Sequence, residues 1–300
     1  MSMRAQLDAV FAPKLDAVGV EPIPEGKDRT GLRIAVWIAI IGLFLLGWGA
    51  GTGAAIATLF GWVPHPPPLT NDLPSVRGQV IGIASQLFLA GFAGWAMFTW
   101  KRPRRPVPLS HGLATLPVYI VAMALGFMAV GVVSTVLQLP QHDYPWAEVA
   151  AGKAFTLAAI NDVMPGPAEE LVLLGLVVVG LRRAGYSWWV VYLVAIAVRV
   201  PFHLYYGWGA FAIAVWPAIA VYLYRRSGAI WGLVAGHALW DLTSFLSVQL
   251  QWPAAELRTY AGAFGSIVVL FVLQNRMTAP AATPVAPAAS TAPPSADRES

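Results

Sequence analysis

Long apolar runs, separated by short polar or basic connections, dominate the chain. A helix needs about 20 predominantly apolar residues to cross the hydrocarbon of a bilayer. Measured against that length, runs stand near 34–62, 78–100, 115–139, 166–181, 186–206, 209–224, 228–249 and 259–275. They predict an all-α, polytopic membrane bundle of about eight transmembrane helices. Residues 151–164 are less apolar. They read as a separate short helix or a re-entrant piece, cut off from the next run by Pro165 and Pro167. The proline run PHPPPL (64–69) predicts a stiff extended connection. The tail after Thr278 is Ala, Pro, Ser and Thr with few charges, a composition that predicts disorder. The predicted organisation is an N-terminal segment, 1–33; about three helices with their loops, 34–150; a helical core, 151–276; and the tail, 277–300.

Composition agrees with this pattern. Apolar residues make up 57% and charged residues 11% of the chain, and mean hydropathy is +0.63. Ordinary soluble domains have roughly 45–50% and about 25%. The net charge of +4 could point to nucleic acid, but the basic residues cluster in short groups between apolar runs, as in membrane loops. Membrane lipids are therefore expected partners, with no nucleic acid. There is no cysteine, which excludes disulfides, iron–sulfur clusters and a thiol nucleophile. Residues 1–33 mix both charge signs and contain Pro13, Pro22 and Pro24, so a cleaved signal peptide is not expected.

Lys and Arg also predict orientation. Arg29 and Arg33, the segment KRPRR (101–105), Arg182 with Arg183, Arg225 with Arg226, and Arg276 all fall on one side of an eight-span bundle. That side should be cytoplasmic, with both termini on it, in a multi-pass protein of the cell membrane. The segment QLPQHDYPWAEV (138–149), on the other side, is mildly acidic.

The ionisable residues inside apolar runs are Glu169, Glu170, Arg199, His203, His237 and Asp241, with Asp162 at a boundary. Each costs on the order of 2.5–3.5 kcal/mol at a helix centre on insertion scales, so such groups tend to pair, face a bundle interior and mark function. Arg199 and His203 are four apart, as are His237 and Asp241, which on an α-helix puts each pair on one face. Glu169 and Glu170 lie about 100° apart, so one can face a reaction while the other meets a supporting group. A carboxylate pair and two imidazoles suit acid–base chemistry on water. A histidine can also donate to an oxyanion. His and carboxylate ligands would equally suit Zn²⁺, so no cofactor is fixed and zinc stays open.

The segments EELVLLG (169–175), VRVPFHL (198–204) and GHALWDL (236–242) resemble the three motifs of the CPBP family, EExxxR, FxxxH and HxxxN or HxxxD. That family includes CAAX prenyl endopeptidases, bacteriocin-processing and self-immunity proteins, and Abi-type membrane proteins. The resemblance covers roughly residues 150–250. It implies an intramembrane endopeptidase, with a peptide or protein substrate, in which Glu169 and His203 activate water. Glu170 would support the site, and His237 with Asp241 would stabilise the oxyanion. Both glutamate-dependent and metal-dependent mechanisms are proposed for the family; in the second, His203 and His237 would be ligands. Two positions depart from the motifs: Leu174 stands where arginine is expected, and Arg199 where phenylalanine is expected. Arg199 is thereby a candidate to supply the missing positive charge near Glu170, with snorkelling to an interface as the alternative. Two other functions remain open: an inactive family member serving as an assembly or immunity factor, and a proton-coupled transporter.

Overall fold

The computed structural model describes residues 17–23, 27–62, 65–100, 107 and 109–251. The predicted run at 259–275, Arg276 and the tail lie outside the described residues. Three long helices come first: α1 (Lys27–Leu59), α2 (Leu73–Trp100) and α3 (Leu109–Val136). A loop, 137–150, leads to α4 (Lys153–Val163), α5 (Pro165–Glu169), a π-helical turn (Glu170–Leu176) and α6 (Val177–Arg183). After α7 (Trp188–Arg199) the chain tightens into two 3₁₀ segments, Pro201–Tyr206 and Trp208–Ala214. It closes with α8 (Val215–Ser227) and α9 (Ile230–Gln249). Among the described residues there is no strand, only an isolated parallel bridge between Leu69 and Val149.

Seven of the predicted runs fall on described residues, and each is largely helical. Five helices are long and apolar enough to cross a membrane: Arg29–Leu59, Leu73–Trp100, His111–Val136, Lys153–Arg183 and Trp208–Ser227. The other two predicted spans miss that standard for physical reasons. The run at 186–206 has only 12 α-helical residues, about 18 Å of helix, because Pro201 cannot continue the α7 ladder. In α9, His237, Asp241 and several hydroxyl residues dilute an otherwise apolar segment.

Residues 151–164 are not a separate piece. α4 runs into α5 through Met164, whose φ of −65° and ψ of −27° are helical. Pro165 takes the first position of α5, where a missing N–H costs little. Lys153–Arg183 is therefore one 31-residue span, and it is the centre of the bundle. Within its most apolar window 72% of residues are buried, against 17% for α1. Every residue from Val172 to Val179 except Gly175, and Leu181, belongs to the buried apolar core.

Small residues let the neighbours come close. Gly166 in α5 lies against α9: a Cβ there would stand 2.7 Å from Ala238 and from the Val234 carbonyl oxygen. Gly232 and Gly236, a GxxxG pair on α9, meet α3 at Thr115, Leu116 and Tyr119. These contacts bring Glu169, Glu170, Tyr119 and His237 within reach of one another.

Candidate active site

Glu170 opens the π turn and is fully buried, with 0% exposure. A buried carboxylate is tolerated only when it is paired and hydrogen-bonded. Its Oε1 accepts from Tyr119 Oη of α3 at 2.7 Å, Arg199 Nη1 of α7 at 2.8 Å and His237 Nδ1 of α9 at 2.7 Å. Three helices are thus tied to the central span through one oxygen. Arg199, 1% exposed, also lies over the Trp216 ring at 4.6 Å and 3.6 Å from Glu169 Oε2. It is a buried ion-pair partner, not a snorkelling side chain.

Glu169 points elsewhere. It lines a cavity of about 810 Å³ that also takes in His203, His237, Asp162 and Asp241. Trp48 Nε1 of α1 donates to Glu169 Oε1 at 3.4 Å; Oε2 is buried, accepts no hydrogen bond among the described residues and has Arg199 Nη1 as its ion-pair neighbour at 3.6 Å. Three donors hold Glu170, whereas Glu169 is a cavity-lining carboxylate with one long hydrogen bond.

His203 reaches the cavity by a different local geometry than an α-helix would give. Arg199 is the last residue of α7, and His203 sits in the 3₁₀ segment, so they do not share an α-helical face. Instead, His203 Nδ1 lies 2.8 Å from the Arg199 carbonyl oxygen. A carbonyl can only accept, so the proton belongs on Nδ1 and Nε2 keeps its lone pair. Phe202 and Trp216 flank the ring at centroid distances of 4.4 and 5.6 Å. His237 and Asp241 do share a face of α9, with Nε2 3.3 Å from Asp241 Oδ2. Since Nδ1 donates to Glu170, the ring is held between two carboxylates.

This arrangement does not fit the metal set expected from sequence, His203 with His237. A catalytic zinc takes three protein ligands. Among the described residues no group of three His, Asp or Glu side chains converges to hold one. His237 Nε2 moreover faces Asp241.

Residues 151–243 match the family model described as type II CAAX prenyl endopeptidase Rce1-like. Over these residues the chain is similar to the CAAX protease, or CPBP, family. The match runs from the start of the central span to the middle of α9 and includes each of the three motif segments. No curated protein and no solved structure matches the chain. The family is one of membrane endopeptidases, and the apolar helices agree with a membrane setting. The CPBP arginine position is Leu174, buried in the π turn; the guanidinium beside Glu170 comes from Arg199 instead.

Sequence reasoning missed Tyr119 and Trp48. Tyr119 is the one phenol in the apolar stretch PVYIVAMALGFM, a signal of the same kind as the buried histidines. Trp48 gave no signal, because tryptophans are common throughout the chain. The loop 137–150 was also unforeseen as part of the site. Tyr144 packs on Tyr205 at 5.3 Å, Trp146 on Phe245 at 6.4 Å, and both loop residues line the cavity.

Proposed function

We propose that the cavity hydrolyses a peptide bond of a polypeptide entering from the membrane or its surface, with Glu169 as general base. The observation that carries this reading is the division between adjacent carboxylates: Glu170 Oε1 accepts three donors and is fully buried, while Glu169 lines the cavity and accepts one long hydrogen bond, from Trp48. The family match supports endopeptidase chemistry in general.

In this scheme a water hydrogen-bonds to Glu169 and to His203 Nε2. Glu169 takes one proton as the water oxygen attacks the carbonyl carbon. The oxyanion that forms accepts from His237 Nε2–H, which leaves its 3.3 Å contact with Asp241. The C–N bond then breaks, and the proton held on Glu169 passes to the leaving amine. The second water proton leaves the new carboxylic acid for that amine, so the products are a carboxylate and an ammonium, and the site returns to its starting state. Glu170 and Arg199 act by position. Glu170 keeps the His237 ring turned so that Nε2 faces the cavity, and Arg199 balances the charge. No step passes through a metal.

The absence of the motif arginine at Leu174 is what would favour an inactive assembly or immunity factor. A guanidinium 2.8 Å from Glu170 removes the observation that favoured it. The test is cleavage of a peptide library by purified protein in nanodiscs, with products identified by mass. Wild type should cleave a subset of peptides. Glu169→Ala and His203→Ala should lose on the order of 10²–10⁴-fold in rate. Equal cleavage by all three proteins, or none by wild type, would sink the proposal.

A further inference from the structure

The bundle has two chemically distinct ends, and the cavity belongs to only one of them. At one end, Arg29 Nη2 donates to the Gly185 carbonyl at 3.3 Å and Arg33 Nε to that of Ala184 at 3.2 Å. Ala17 N–H donates to the Arg225 carbonyl at 2.8 Å, and His111 Nδ1 lies 3.1 Å from the Ser227 carbonyl. These contacts gather the starts of α1, α3, α7 and α9 with the ends of α6 and α8. The same end holds Arg29, Arg33, Arg182, Arg183, Arg225 and Arg226, and the connection from α2 to α3 adds Lys101, Arg102, Arg104 and Arg105 in sequence.

At the other end, Leu69 N–H donates to the Glu148 carbonyl at 2.8 Å, Asn71 Nδ2 to that of Ala151 at 2.8 Å, and Gln249 Nε2 to that of Ala147 at 3.1 Å. His142 N–H meets the Tyr206 carbonyl at 3.4 Å. The connections here, 60–72 and 137–152, carry no Lys or Arg but hold Asp72, Asp143 and Glu148. Among the described residues, Arg77 and Lys153, in the opening turns of α2 and α4, are the basic residues nearest this end; in sequence, Glu256 and Arg258 follow α9.

The cavity walls come mainly from the halves of the helices nearest this second end, including Trp48, Phe127 and Asp241, with His237 reaching it from just short of the middle of α9. Loop residues Asp143, Tyr144 and Trp146 line its mouth. Lys and Arg near span ends mark the cytoplasmic face. We propose that the hydrolytic site opens on the non-cytoplasmic face, and that its substrates are polypeptide segments presented there, which meet loop 137–150 first. This rests on the reading of the cavity as a peptidase site and adds the side from which it works.

The chain has no cysteine, so a single introduced thiol is the only one present. Three variants test the proposal with a membrane-impermeant maleimide. Glu148→Cys is exposed in the loop, Ser187→Cys is exposed at the arginine end, and Ser244→Cys lies on the cavity wall. In intact cells the proposal expects labelling at 148 and 244, with 187 labelled only after permeabilisation. Labelling at 187 in intact cells, or labelling at 244 only in inside-out vesicles, would overturn it. Labelling does not need turnover. A correctly oriented protein without peptidase activity would defeat the functional reading alone; an active protein labelled from the cytoplasm would defeat this inference alone.

Discussion

Glu170 Oε1 carries more of the architecture than any other atom in the site. It faces a guanidinium, an imidazole and a phenol at once, and each comes from a different helix. Removing one member of such a buried cluster leaves charge uncompensated, at a cost of about 3–5 kcal/mol. Arg199→Ala should therefore lower stability by that order in a chemical denaturation series in detergent. Arg199→Phe, which restores the CPBP phenylalanine, should be as harmful alone. Combined with Leu174→Arg it should regain part of the loss, because position 174 lies one helical turn beyond Glu170. A double variant no more stable than Arg199→Phe would show that the two arginine positions are not equivalent. At this scale the sequence was informative, because ionisable residues in apolar runs are few and each must have a reason to be there. Tyr119 stayed hidden because a phenol raises no such alarm in an apolar run.

At the scale of elements, the site depends on departures from the regular α-helix. The π turn begins at Glu170 and the 3₁₀ segment holds His203. π turns inside helices are frequent at functional sites. Hydrophobic periodicity could not foresee either one. The runs are apolar on most faces, so they locate helices without fixing their pitch. Pro201 gave a break but not the geometry beyond it. Close helix approach is the other device. A Cβ at Gly166 would stand 2.7 Å from Ala238 and the Val234 oxygen, so α5 would have to move away from α9. Gly166→Ala should cost about 1–3 kcal/mol by overpacking. It should also slow cleavage by shifting Glu169, three residues on. Unchanged thermal stability and unchanged turnover in this variant would contradict the close packing described.

Across the whole molecule, the helical membrane class was legible from hydropathy alone, and the CAAX protease motifs located the central span. The number of full-length spans was not, because α7 is cut short at Pro201 and α9 is diluted by the site's own polar residues. The cavity was not legible either. Its walls combine the second half of α1, the middle of α3, the loop 137–150 and the ends of later helices, and no local pattern links such distant segments. The described residues form a bundle with a charged hub buried around Glu170 and a second carboxylate, Glu169, lining a cavity toward one end.

The most direct test of this account compares Glu169→Gln with Glu170→Gln, measuring peptide turnover and thermal unfolding on the same purified samples. The account predicts that Glu169→Gln keeps stability within about 1 kcal/mol of wild type and loses at least about 10²-fold in turnover. Glu170→Gln should lose stability and turnover together. Near-normal turnover in Glu169→Gln, or wild-type stability in Glu170→Gln, would contradict the division of labour between the two carboxylates.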